Sequence, residues 1–328
     1  MLIEAIELFH LRLPTVDSVL VRLESRDQSG WGEACVGREP VASAEWAGGV
    51  FACLRDFVAP AVRGQVVLTG DQLQALVARF QGQAAAKSAI DCAWWDLNAK
   101  LHATTVAALL GGTRVTHETA VTLDVMPTID DLLRAIDEQQ QRHAMILLKF
   151  RPGWDEQMLR VVRQMYPAVP LAIDCDGCCR IGQRELLYRL DDFMLRWIEQ
   201  PLPADDLVAH AMLQENIRTP ICLHQSITSL DRVEQAIDLG SCRAVKIDPA
   251  LVGGLTPARA LYDCCRVSKL PLAVGGKYAT ETGRSALAAL AALEDFSLPA
   301  DLQDLTGPGQ DLQIDHQLRD AAIERALI

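Results

Sequence analysis

The stretch MILLKFRPGWDEQMLRVVRQMYPAVPLAID, residues 145–174, decides the fold. It opens on a continuous apolar run at 145–150, passes through an amphipathic segment at 155–165 and closes on a second apolar run at 171–174. Continuous apolar strands suit a sheet covered on both faces, and a helix between two of them is the right-handed crossover of parallel strands. The unit repeats on either side. Strand-like runs fall at 120–125, 195–199, 221–223, 244–247 and 272–274. Helical periodicity falls at 129–141, 183–190, 205–213, 230–239, 257–267 and 281–293. Seven strand–helix units in series predict an α/β architecture. A doubly wound open sheet shares this grammar. The regular spacing, and the lack of a glycine-rich phosphate loop after the first strand, favour a closed barrel. A weak eighth strand is expected near 296–302.

Upstream the grammar changes. Strand-like runs at 2–13 and 18–24, a turn at Asp27-Gln28-Ser29-Gly30 and a third strand from Trp31 precede helical patterns at 43–59, 71–80 and 84–101. Strands first and helices after predict an α+β unit over residues 1–114, closed by Gly111-Gly112. The barrel is expected over 115–305. The tail, 306–328, is expected to pack on the barrel or return to the first unit. At 328 residues the chain suffices for about two domains of roughly 150 residues each. Its formal charge of −12 argues against general nucleic-acid binding. No apolar run reaches the roughly 18 residues of a membrane span, and the start of the sequence lacks a secretory pattern. A cytoplasmic protein with no nucleic-acid or membrane partner is expected. Its ten cysteines then read as thiols rather than a disulfide framework.

In a parallel barrel the site lies at the carboxyl ends of the strands. The polar residues ending the runs are Lys149 and Arg151, Asp174 and Asp176, Glu199 and Gln200, His224 and Gln225, Lys246 and Asp248, and Lys277. Asp174, Glu199 and His224 could hold a hard divalent cation with positions left open for substrate oxygens. The flanking lysines and arginine could face a bound carboxylate. Charged residues also end strands simply because strands end at solvent, and for any one residue the two readings weigh equally.

Here the sequence resembles a known family. GWGEACVG (30–37), AKSAIDCAWWDLNAKL (86–101), LLKFRPGWD (147–155), WIEQPL (197–202), TPICLHQSI (219–227), DPALVGGLTPAR (248–259) and GGKYATETGR (275–284) resemble the enolase superfamily, muconate-lactonizing subgroup. The nearest pattern is that of o-succinylbenzoate synthases and N-succinylamino acid racemases. The resemblance implies an N-terminal α+β capping domain followed by a modified TIM barrel, (β/α)7β. It also implies Mg2+ (or Mn2+) as cofactor, a small carboxylate substrate and proton abstraction α to the carboxylate, in a lyase or an isomerase. A homo-oligomer is compatible with it.

Residue by residue the match is partial. Asp174 and Glu199 stand at the first two metal positions, but the third, normally the Asp of Leu-Asp-Glu-Ser, is His224 within Leu223-His224-Gln225-Ser226. Lys149 keeps the first lysine of the strand-two motif. The second, the acid/base, is Arg151. The strand-six lysine before proline is Asp248, with Lys246 two residues earlier on the same face of the strand. Lys277 replaces an apolar residue and Ala279 a glutamate. With a reference pKa above 12, arginine has a neutral fraction of about 10⁻⁵ or less at neutral pH, so Arg151 reads as a carboxylate clamp rather than a base. Asp248 reads as a base and equally as a metal-binding or hydrogen-bonding group. With His224 neutral, the formal charge of the six motif positions keeps the family's value. The substrate-covering loop after the first strand is missing at residues 13–17. Two further readings therefore stand beside the orthodox enzyme: a non-catalytic relative that keeps the fold for binding or scaffolding, and an enzyme of altered reaction using His224 and Lys277 in new roles. Cys175, Cys178 and Cys179 could bind a softer metal, though neighbouring loop thiols are the stronger reading. Gly253-Gly254 reads equally as an anion cradle and as a tight turn.

Overall fold

A computed structural model describes residues 1–14, 16–41, 43–276, 279–302 and 322–328. The capping sheet is antiparallel, in the order β12-β1-β2-β3. Its strands are β1 (Ala5–Arg12), β2 (Asp17–Ser25), β3 (Gln28–Val36) and β12 (Ala322–Leu327). Arg12 pairs with Asp17, so only residues 13–16 separate β1 from β2, and no covering loop grows from that hairpin. The Arg38 guanidinium pins the turn through Asp17 Oδ1 (2.8 Å) and the Leu13 carbonyl. The turn expected at 27–30 lies earlier, at Arg26-Asp27, with Arg26 at φ 56°. Gly30 has a different reason to be glycine. A Cβ there would stand 2.3 Å from the Ala93 carbonyl oxygen on the helix Ala84–Leu101.

The barrel strands are β4 (Thr119–Leu123), β5 (Met145–Lys149), β6 (Leu171–Asp174), β7 (Ile198–Glu199), β8 (Ile221–Leu223), β9 (Ala244–Ile247), β10 (Leu272–Val274) and β11 (Ala300–Asp301). All neighbours are parallel, in the order β10-β9-β8-β7-β6-β5-β4-β11, and a parallel bridge from Gly275 to Asp301 closes the ring. The expected eighth strand is thus two residues long and completes the barrel. Period-two alternation sorts the strand residues. Ile146, Leu148, Ile173, Ile198, Ile221, Val245 and Ile247 belong to the main core with the surrounding helices. Met145, Leu147, Ala172, Trp197, Cys222 and Ala244 fill the barrel axis. The next residues in that inward series are Lys149, Asp174, Glu199, His224 and Lys246, so an apolar plug supports a charged layer.

Two capping-domain carboxylates lock onto barrel helices. Glu33 on β3 accepts from Thr280 N (2.9 Å) and Gly283 N (2.8 Å), at the start of the helix Glu281–Ala291. Asp91 accepts from Thr256 N (2.9 Å), at the start of the helix Leu255–Val267. An anion at a helix N-terminus meets free N–H groups and the positive end of the dipole. Gly254, at φ 126°, would place a Cβ 2.4 Å from Asp91 Oδ2. The turn at 253–254 is therefore a close approach, and the anion it receives is the protein's own. Among the described residues no helix is long and apolar enough to cross a membrane.

Candidate active site

The charged layer lines a cavity of about 120 Å³, bounded by Thr122, Asp124, Lys149, Asp174, Glu199, His224, Gln225, Lys246, Gly276 and Asp301. With eight strands in the ring, β5 and β9 lie four steps apart, on opposite sides. Lys149 therefore faces Lys246 and Asp248 across the axis. His224, one strand from β9, stands with the latter group.

Each acid in this layer meets a cation. Lys149 Nζ pairs with Asp174 Oδ2. Lys246 Nζ lies 3.1 Å and 3.4 Å from the two oxygens of Glu199 and 2.8 Å from Asp301 Oδ2. His224 Nδ1 is 3.1 Å from Glu199 Oε1, and Nε2 is 3.6 Å from Asp248 Oδ2. Neither ring nitrogen is aligned for a hydrogen bond, so the imidazole is held between two carboxylates by charge. Gln200, buried at φ 38°, fixes this loop: its Oε1 accepts from His224 N (3.1 Å) and Ser226 N (3.0 Å).

The charges follow from the pairing. Burial would lower the His224 pKa, but Asp248 and Glu199 override it and push it up to about 9. Burial would raise the Glu199 pKa, but the Lys246 ammonium and His224 bring it down to about 2. For Lys149, burial pulls downward and Asp174 turns the net shift upward. The two carboxylates thus favour the imidazolium form of His224. Its folded pKa exceeds the reference value of 6.5, so its contribution to stability is complete below pH 6.5 and fades as pH climbs through about 9. Unfolding free energies measured from pH 6 to pH 9.5 should fall for the wild type and stay flatter for His224→Gln; equal slopes would contradict the pairing.

The expected site residues do not all behave as expected. Asp174, Glu199, His224 and Lys149 share the cavity. Arg151 spends its fork elsewhere: it donates to the carbonyls of Phe150 (2.8 Å) and Cys175 (2.9 Å) and to Asp176 Oδ2 (3.1 Å). These contacts anchor its loop, and it is not among the residues that bound the cavity. Asp248 accepts from Ala250 N (2.9 Å), capping the short helix Pro249–Val252, and faces His224. Lys277 lies outside the described residues. Lys246 and Asp301 are the residues the strand-end reading undervalued. Asp301 ends the eighth run as Asp174 ends the third, and that signal could have found it. The cysteines are all thiols, and Cys178 Sγ and Cys179 Sγ stand 3.8 Å apart.

Mg2+ and Mn2+ need several oxygen donors with open lone pairs, and a ligating imidazole must be neutral. This donor set does not fit them. Ammonium groups take both carboxylates, and His224 stands wedged between Glu199 and Asp248. Among the described residues no three of His, Cys, Asp and Glu form a group that could hold a metal ion.

A capping domain over a closed parallel barrel, with charged side chains gathered at the carboxyl ends of its strands, is the architecture of a class of barrel proteins whose sites lie at those strand ends. Residues 9–111 match the mandelate racemase / muconate lactonizing enzyme N-terminal domain, and residues 129–323 match the enolase C-terminal domain-like family. The chain belongs to the enolase superfamily. It is 38% identical over 289 residues to an o-succinylbenzoate synthase of Geobacillus kaustophilus, covering 88% of this chain and 77% of that one. It is 36% identical over 285 residues to an N-succinylamino acid racemase of Amycolatopsis sp, covering 86% and 77%. The crystal structure of an enolase-superfamily member from Listeria innocua superposes with a TM-score of 0.91 at 26% identity, over 100% and 99% of the two chains. Muconate cycloisomerase from Pseudomonas fluorescens shares the fold, with a TM-score of 0.86 at 21% identity over 92% and 87%.

Proposed function

We propose that this chain acts on a small carboxylate compound of the succinylated kind named in its relatives, by proton transfer α to the carboxylate, as a lyase or isomerase. His224 and Lys149 are the proton-carrying groups. The observation that supports this is their placement in one cavity, on strands three steps apart around an eight-strand ring. Neutral His224 removes the α-proton and becomes the imidazolium that its two carboxylates favour. The Lys149 ammonium offsets the charge that develops on the substrate and can return a proton from the other side. Asp248 and Gln200 orient the imidazole and its loop. No step runs through a metal ion.

Because His224 titrates near 9, the fraction in the base form rises about tenfold per pH unit below that value. Solvent deuterium exchange at the α-carbon of N-succinyl amino acids, followed by NMR with EDTA present, should accelerate accordingly from pH 7 to pH 9. It should vanish in His224→Gln. Absence of exchange across that range sinks the proposal. The second reading, a binding or scaffold protein, is favoured by one observation: arginine stands at the acid/base position and is committed to its own loop. Ligand binding by calorimetry without exchange would select it.

A further inference from the structure

We infer that the Lys246 ammonium is the site's built-in cation, standing where a divalent ion would bind, so that the folded protein neither requires nor holds one. The inference does not depend on the catalytic reading, because ion binding and turnover are measured separately.

Lys246 points inward from β9, and its side chain is 4% exposed. It is held from three directions, by both oxygens of Glu199 and by Asp301 Oδ2. The barrel is shaped for its stem. Gly275 lies beside it, where a Cβ would stand 2.7 Å from Lys246 Cε, so any side chain at 275 would collide with the lysine. Asp301 closes the barrel through its bridge to that same glycine, and the ammonium thus ties the closing seam of the ring to the acid at the centre of the charged layer. On the facing side Lys149 holds Asp174.

A dication entering here would have to displace both ammonium groups from their acids. Lys246, 4% exposed and held by Glu199 and Asp301, would have to give up both partners to withdraw. Left in place, it would sit within a few ångströms of the incoming ion, buried and unpaired, and like charges at that distance in a poorly screened interior repel strongly. His224 stands against the same carboxylate, 3.1 Å from Glu199 Oε1, and narrows the space left for an ion. The arrangement selects against divalent ions as it satisfies its own acids.

The experiment uses the full chain. The wild type should melt at the same temperature in EDTA as in millimolar Mg2+ or Mn2+, and should leave the electron paramagnetic resonance signal of free Mn2+ undiminished. Lys246→Met removes the charge and keeps most of the stem. It releases Glu199 and Asp301, and should bind Mn2+ and gain several degrees of melting temperature from it, because an ion that binds only the folded state stabilises it. Stoichiometric Mn2+ binding by the wild type overturns the inference, whatever the variant does. A folded Lys246→Met that ignores Mn2+ overturns the placement of the ammonium on a cation position. If Lys246→Met does not fold, Lys246→Gln, which also removes the charge and keeps a polar tip for Glu199 and Asp301, is read the same way. The wild-type titration stands by itself in any case.

Discussion

Glu199→Ala should lose about 3–5 kcal/mol of unfolding free energy, because it strips the shared carboxylate from two buried cations at once. Glu199 is fully buried and takes Lys246 on both oxygens and His224 on one. Lys246 would keep Asp301, but His224 would keep only Asp248, at 3.6 Å. Glu199→Gln separates charge from volume, since glutamine preserves the shape and one acceptor. If the charge is what counts, Gln costs nearly as much as Ala; a neutral Gln variant would show that packing alone is at stake. The acid limb gives a second reading. A carboxyl lowered to about 2 from 4.5 contributes stability that is complete above pH 4.5 and lost as pH falls through about 2. Denaturant titrations between pH 5 and pH 2 should show that limb in the wild type and a shallower one in the variants.

Gly32→Val should lower the melting temperature by about 10 °C or prevent folding. A Cβ at Gly32 would lie 2.0 Å from the Ala89 carbonyl oxygen and 2.6 Å from the Ala93 amide nitrogen. Strand β3 thus rests on the backbone of the helix Ala84–Leu101, which presents Ala86, Ala89 and Ala93 beneath it, all buried. No rotamer relieves a contact between backbones, so strand and helix must separate and open the small core they share. Overpacking ordinarily costs about 1–3 kcal/mol when side chains can yield, and here none can. A loss of about 3 kcal/mol corresponds to roughly 6–12 °C in a domain of this size class. Calorimetry giving a melting point within about 2 °C of the wild type would refute the account.

Much of the architecture was legible because a barrel repeats one rule. Apolar runs separated by amphipathic helices predict seven parallel strands, and inward alternation carries the eye from Leu147 to Lys149 and from Ala172 to Asp174. What could not be read is how long side chains choose partners around the ring. Lys246 and Asp301 are fifty-five residues apart in sequence, and their meeting depends on a bridge that closes the barrel through two residues of a weak strand. Arg151 looked like a substrate clamp because its fork suits carboxylates. Only the folded loop offers it two carbonyls and Asp176 first. Gly30 was read as a turn residue because glycine favours turns, whereas its strand needs it for contact with a helix some sixty residues on. Positions set by periodicity are local information; these pairings are not.

Strand β12 sets Glu7 opposite Leu327, with the entire barrel between them in sequence. The capping sheet therefore cannot be completed until residue 327 is available. During synthesis β1 must wait, one edge unpaired, while seven strand–helix units emerge and close. An exposed strand edge is a template for wrong pairing, and contacts of such long sequence separation form slowly. The helix starts that receive Glu33 and Asp91 give the waiting sheet an earlier anchor. Ribosome-bound intermediates of this chain should accordingly stay protease-sensitive in β1 after the barrel has become resistant, and strand β12 acts as a latch that seals the capping sheet after the barrel.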